Sequence, residues 1–252
     1  MESWMTTKKK IVLIQGGLGA ERNVSLSTGA AFEAALKELG HEYEMIDAQE
    51  DLPARLANVK ADVALIALHG KYAEDGIVQG ICEYLKLPYT GSGVLASAVC
   101  MDKVLSKQMY VQYGIPTAPF EVLDLHHIKI EDVSTQIGFP LVVKPSREGS
   151  SVGISIVKEP TEFLAALKLA AQYDHHILIE KFIPGLELSV PILKGKALTP
   201  IEIEPKLGFY DYNSKYTKGQ TDYYMPPRMP DEKIELLKSR KIFTSATPHL
   251  SC

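Results

Sequence analysis

Cysteine is scarce: Cys82, Cys100 and Cys252 are the three in 252 residues. Odd in number and widely spaced, they suit neither a disulfide framework nor a zinc site, and they point to a reducing, cytoplasmic setting. Long apolar runs are missing too. The longest are strand-sized, and the lysine-bearing Met1 to Lys10 is followed by no hydrophobic stretch of adequate length, so neither a signal peptide nor a membrane span is expected. Positive charge is not in excess, since 27 Lys and Arg stand against 31 Asp and Glu for a net charge of −4. Apart from Lys8 to Lys10 the cations are scattered, which argues against nucleic acid or an anionic membrane as a partner. A Walker loop, a glycine-rich run ending in Gly-Lys-Ser/Thr, is absent, and Gly16-Gly17-Leu18-Gly19-Ala20 departs from the dinucleotide spacing G-x-G-x-x-G.

What is present is an ordinary globular composition, 46% apolar and 23% charged, long enough for one large or two small domains. The stretch with the most chemistry is Lys144-Pro-Ser-Arg-Glu-Gly-Ser-Ser-Val-Gly153, directly after the apolar run Phe139 to Val143. A buried strand there delivers one lysine into a small, polar, glycine-bearing loop. The cation of Lys144, the hydroxyls of Ser146, Ser150 and Ser151, and glycines that let backbone N–H groups approach an anion make it a candidate phosphate cover. An ordinary surface turn has the same composition.

Ahead of it, Ile11 to Ile14 reads as a strand ending at Gly16-Gly17. Phe32, Ala35, Leu36 and Leu39 then mark a helix, with Ser27 or Thr28 as N-cap and Gly40 as its stop. Further strands are expected near Tyr43 to Ile46 and Val63 to Leu68. The alternation predicts a mostly parallel sheet with helices on both faces and ligands outside the carboxyl ends of its strands, where Glu21 and His69 fall. From Thr90 to Asp102 the chain changes character, and Asp102-Lys103 opens a helix to about Tyr113 ended by Gly114-Ile115-Pro116. Beyond it come a strand at Phe120 to Leu123, a short helix at Glu131 to Gln136, the strand Leu141 to Lys144 and its antiparallel return Ile154 to Val157. A helix at Thr161 to Gln172 and a strand at His176 to Lys181 complete a small α+β unit. The tandem pairs His126-His127 and His175-His176 are expected to be solvent-facing rather than metal ligands, because neighbours on a strand point to opposite faces.

Gly16-Gly17, Ala20-Glu21-Arg22, Val24-Ser25, His69-Gly70, Glu74-Asp75-Gly76, Asp102-Lys103, Lys144-Pro145-Ser146, Glu148 to Gly153, Ile179-Glu180-Lys181, Phe209-Tyr210-Asp211-Tyr212 and Lys215-Tyr216 together resemble the D-alanine:D-alanine ligases, which are ATP-grasp enzymes. The resemblance runs in order from about residue 9 to about residue 239. It implies an α/β fold: an N-terminal parallel α/β domain for substrate (9–101), then an ATP-grasp α+β clamp of a small domain (102–184) and the start of a C-terminal domain (185–239), the clamp being incomplete at its C-terminal part.

The resemblance also implies ATP and Mg²⁺, two D-alanines joined through an acyl phosphate for peptidoglycan synthesis, and a homodimer. It assigns Lys103, Lys144 and Ser151 to nucleotide phosphates, Lys215 to the transferring phosphoryl group, Glu180, Lys181 and Ile183 to adenine, and Glu187 to ribose. Glu21, with His69 beside it, receives the first D-alanine, and Glu21, Ser150 and Tyr216 form one catalytic network that closes loops against water. Leu18-Gly19 and Ala73 depart from the usual pattern at positions without essential charge. After Ser239 the family pattern continues with an Arg-x-Asp and a Glu-x-Asn motif that supply the metal ligands and an arginine, whereas here an atypical tail, 240–252, follows. The expectation is a truncated or frame-shifted product, with no metal residue assigned and little turnover of its own. Another ATP-grasp amide ligase and a non-catalytic nucleotide-binding remnant are the alternatives.

Overall fold

The computed structural model describes residues 8–193, 195–206, 208, 210 and 212–246. These fall into two compact units, one up to Ala98 and the other from Val99. In the first, β1 (Lys10–Gln15) leads into α1 (Arg22–Leu39), β2 (Glu42–Asp47), α2 (Leu52–Asn58), β3 (Val63–Ile66) and α3 (Ile77–Tyr84). The sheet has the order β2-β1-β3 and is parallel, as the alternation predicts. Successive residues of a strand face opposite sides, and β1 is covered on both. Val12 and Ile14 pack with Ile46, Leu52, Leu56, Val78 and Cys82, while Ile11 and Leu13 pack with Leu36 and Ala67.

The N-cap expected at Ser27 or Thr28 is wrong, because α1 begins at Arg22 and both residues lie inside it. Its hydroxyl residues bond to the segment after β3 instead of the helix start: Ser25 Oγ donates to the Ala67 carbonyl at 2.8 Å, and Thr28 Oγ1 lies 2.9 Å from His69 Nε2. Gly40 does end the helix, in the left-handed conformation, its N–H on the carbonyls of Leu36 and Lys37. Leu39, last of the expected apolar stripe, is exposed.

A helix that the sequence reading missed, α4 (Val94–Met101), precedes α5 (Lys103–Gln112). The second unit continues with β4 (Phe120–Asp124), β5 (Leu141–Pro145), β6 (Ser155–Val157), α6 (Pro160–Ala170) and β7 (His176–Lys181). Its four strands lie in the order β4-β7-β5-β6, every neighbouring pair antiparallel. Phe163, Ala166, Leu167 and Ala170 of α6 cover one face, against Leu141, Val143, Val157, Ile177 and Ile179. The helix expected at Glu131 to Gln136 is only a 3₁₀ turn, Ile130–Asp132. Side chains take the donors a longer helix would use: the Gln136 N–H goes to Glu121 at 2.8 Å and that of Ile137 to Thr135 at 3.0 Å.

Next come β8 (Glu187–Ser189), the two-residue strands β9 (Ile192–Leu193) and β10 (Lys196–Ala197), β11 (Ile201–Pro205), α7 (Tyr212–Tyr216), β12 (Thr221–Tyr224) and α8 (Asp231–Ala246). The second antiparallel sheet has the order β12-β11-β8. The regular pattern expected to stop at Arg240 persists in the backbone, since α8 runs on to Ala246. Of the histidine pairs, His126, His127 and His175 are exposed as expected and His176 is half-buried. The rings of His126 and His175 stack with centroids 4.4 Å apart, and His176 meets His126 edge-on at 6.3 Å. Among the described residues, no group of three His, Cys, Asp or Glu is placed to hold a metal ion, and no helix is long and apolar enough to cross a membrane.

Candidate nucleotide and substrate sites

Because Leu141, Val143, Ile177 and Ile179 turn toward α6, the alternate residues Val142, Lys144, Leu178 and Glu180 share the opposite face of the sheet. Val142 is paired with Glu180, so Lys144 lies diagonally across from that carboxylate, and Lys144 Nζ contacts Glu180 Oε2. The other oxygen, Oε1, contacts Lys107 Nζ, which also donates to the Ala118 carbonyl at 2.8 Å. Burial pushes the Glu180 carboxyl up, but the two lysines outweigh it and hold it below its ordinary value. Lys103 donates from Nζ to the carbonyls of Ser146, at 3.2 Å, and Glu148. Burial, aided by the charge of Lys144, brings the Lys103 ammonium down to about 8.

The loop after Lys144 is tied at several points. Ser146 is fully buried, and its hydroxyl donates at 2.7 Å to Asp102, the carboxylate that caps α5 through the N–H groups of Val104 and Leu105. Arg147 makes a two-pronged ion pair with Asp174 at 3.0 and 2.7 Å. Ser150 and Ser151 are both left-handed, at φ 48 and 62. Their hydroxyls reach one segment: Ser150 Oγ lies 2.8 Å from the Tyr216 hydroxyl, and Ser151 Oγ donates to the Tyr210 carbonyl at 2.8 Å.

Beside these groups is a cavity of about 390 Å³, lined by Val142, Ile156, Phe182, Ile183, Glu187 and Tyr210 among others. Burial raises the Glu187 carboxyl, with Lys215 opposing the shift. Lys215 Nζ stands 5.1 Å from the centre of the Tyr210 ring. Lys181 turns its ammonium to the carbonyls of Gly138 and Phe139, at 2.8 and 3.2 Å.

In the first unit, Glu21 is buried at the start of α1. Gly70, at φ +69, runs so close that a Cβ there would stand 2.2 Å from Glu21 Oε2. His69 lies between Thr28, on Nε2, and Glu74, whose Oε1 is 3.4 Å from Nδ1; the hydrogen bond to Glu74 raises the imidazole above its ordinary value against the effect of burial. Arg22 grips Asp47 with both terminal nitrogens and also donates to the Gly17 carbonyl at 3.1 Å, fixing the loop that carries Gly16-Gly17. The Asp47 carboxyl is held down at about 2, first of all by the Arg22 hydrogen bonds.

The arrangement has known counterparts. The model for the D-ala D-ala ligase C-terminus matches residues 109–247 and that for the N-terminus residues 47–92. The D-alanine--D-alanine ligase of Citrifermentans bemidjiense is 50% identical over 224 residues, which are 89% of this chain and 72% of that protein. This chain belongs to the D-alanine–D-alanine ligase family. The crystal structure of D-alanine--D-alanine ligase from Bacillus anthracis superposes with a TM-score of 0.80 at 37% identity, over 93% of this chain and 77% of that one. The same enzyme complexed with ATP gives 0.78 at 36%, over 94% and 77%. The fold is therefore the ATP-grasp α/β architecture of these D-alanine–D-alanine ligases.

Of the residues singled out in the sequence, Lys103, Lys144 and Glu180 stand around one cluster, and Ile183 and Glu187 line one cavity. Ser150 meets Tyr216, Ser151 meets the segment that holds Lys215, and Glu21 lies against the Gly70 that follows His69. Phe209 and Asp211 fall outside the described residues, and of Tyr212 only the backbone is described. The sequence reading of this D-alanine–D-alanine ligase relative missed Lys107, Thr28, Asp47 and the carbonyl role of Tyr210. Lys107 had a signal: it follows Lys103 by four residues, on the same face of a helix.

Proposed function

We propose that this chain carries the sites for the reaction of its family, the joining of two D-alanines at the expense of ATP through an acyl phosphate, for peptidoglycan synthesis, and the low turnover expected from the sequence is read from its dipeptide yield. The observation that carries the reading is the sheet face that bears Lys144, with Lys103 of α5 bonded to the hydroxyl-bearing loop after it, beside a cavity with an apolar wall and one carboxylate. A nucleotide fits that donor set. Val142, Ile156 and Ile183 suit a flat base, Glu180 to Ile183 lie along its edge, and Glu187 is an acceptor for ribose hydroxyls. Lys103, Lys144 and Lys215 would neutralise the phosphates, which is the main task in phosphoryl transfer, and Ser151 would add a hydroxyl donor. ATP would supply the phosphoryl group that activates a D-alanine carboxylate.

Glu21 is the counter-ion for the ammonium of the first D-alanine, with His69 beside it, and Ser150 with Tyr216 draws two loops together to exclude water from the reacting carboxylate. Residues 9–101 would serve as the substrate domain and 102–184 and 185–239 as the two parts of the clamp, with 240–246 continuing α8. Mg²⁺ would offset phosphate charge; the described residues offer no cluster that fits it, and no residue is assigned to it. A homodimer and a cytoplasmic setting complete the reading.

Calorimetric titration with ATP tests it. Lys144→Ala is expected to weaken binding by about 1.5–3 kcal/mol, the scale of a hydrogen bond to a charged group. D-alanine, and not L-alanine, is expected to bind the ATP-loaded chain, with dipeptide sought by mass spectrometry. A parent chain without ATP affinity, or ATP binding equal in parent and variant, overturns the nucleotide site; indifference to the configuration of alanine overturns the substrate.

A further inference from the structure

Lys107 is charged and 5% exposed, and the nucleotide reading gives it no task. Its Nζ contacts Glu180 Oε1, donates to the Ala118 carbonyl and lies 4.8 Å from the centre of the Phe120 ring. Glu180 thus divides its two oxygens between two lysines, and these differ in access. The Lys107 side chain is 6% exposed, that of Lys144 21%. Removing one partner of a buried pair leaves the other's charge uncompensated, and here one carboxylate serves two cations.

The charge balance decides what a phosphate would meet at Lys144. If Glu180 had only Lys144 as its partner, the pair would be neutral and the phosphate would meet a cancelled charge. With Lys107 neutralising the carboxylate from the buried side, the three groups sum to one positive charge, and it is carried by the more accessible lysine. Lys103 already feels that charge, which helps to lower its own ammonium.

We propose that Lys107 is a positioning residue of the nucleotide site: it neutralises Glu180 from within and so keeps the charge of Lys144 available to the phosphates. The inference rests on the nucleotide-site reading above. A residue that only fastened α5 to β4 and β7 would affect every ligand of the cavity alike, whereas this role concerns phosphate alone.

The test is a set of calorimetric titrations with ATP and with adenosine on the 252-residue chain. In Lys107→Met, the Kd for ATP is expected to rise roughly tenfold, equivalent to about 1.4 kcal/mol, while the Kd for adenosine stays at the parent value. In a Glu180→Gln background, where no carboxylate competes for Lys144, adding Lys107→Met is expected to leave ATP affinity unchanged; this arm carries the test if the single variant does not fold. Equal losses for ATP and adenosine, an unchanged Kd for ATP in the single variant, or a loss that persists in the Glu180→Gln background would overturn the proposal. A parent that binds neither ligand overturns the nucleotide site itself, and the inference with it.

Discussion

Lys103 holds its proton more loosely than an ordinary lysine, and that has a measurable sign. Its ammonium titrates at about 8 in the folded chain instead of 10.5, first because it is buried and then because Lys144 is near. Between those pH values the unfolded chain binds more protons than the folded one. The burden of Lys103 on stability is therefore fully present below about 8 and fades as pH rises toward 10.5. Phosphate pulls the other way, favouring the charged form. At a pH just above 8, ATP binding is expected to take up a proton, seen as a binding enthalpy that varies with the ionisation enthalpy of the buffer; identical heats in all buffers would remove Lys103 from the phosphate site. Lys144 stood out in the sequence because it follows a strand end, and this lysine because Asp102-Lys103 is part of the family resemblance. Lys107 offered only its spacing from Lys103, and Thr28 read as a helix cap; the partners that define their roles lie 73 and 41 residues away, and only the fold brings them together.

Among the elements, α5 is where helix initiation and the loop after Lys144 are coupled. Asp102 caps the helix through two N–H groups and with the same oxygen receives the Ser146 hydroxyl, so the start of α5 and the loop after Lys144 share one carboxylate. Asp102→Ala is expected to cost about 1–2 kcal/mol for the cap, read by urea denaturation, and to weaken ATP binding as the loop loses its anchor. Loss of stability with full ATP affinity would show that the two ends are independent. The start of α5 could be read because Asp before a lysine-bearing periodic run is a cap signal. The start of α1 could not, since Ser27 and Thr28 look like caps while the chain already winds from Arg22, its hydroxyls spent on Ala67 and His69. α4 escaped notice because Val94-Leu-Ala-Ser-Ala-Val-Cys-Met101 is apolar almost throughout and has no distinct polar face to give it a period.

For the molecule as a whole, the parallel sense of the first sheet and the antiparallel strands of the small α+β unit followed from the spacing of short apolar runs, whereas the order β2-β1-β3 is seen only in the fold, and each unit has its own core. Acid is expected to reach the first unit through Asp47. Its carboxyl is lowered from 3.8 to about 2, so the stability it lends is complete above about 4 and is lost as pH falls toward 2. Urea midpoints measured over that range should fall less steeply in Asp47→Asn than in the parent; parallel curves would mean that the Arg22 pair does not set the acid limb. A different property follows from Ser150 and Ser151. An L-residue in the left-handed region stores conformational energy, on the order of 1–2 kcal/mol, and here two in succession do so while their hydroxyls hold Tyr216 and Tyr210. The loop is a cocked catch: the bonds that tie it to the segment of Tyr210 and Tyr216 also hold it wound, so releasing either hydroxyl removes part of what keeps the backbone there.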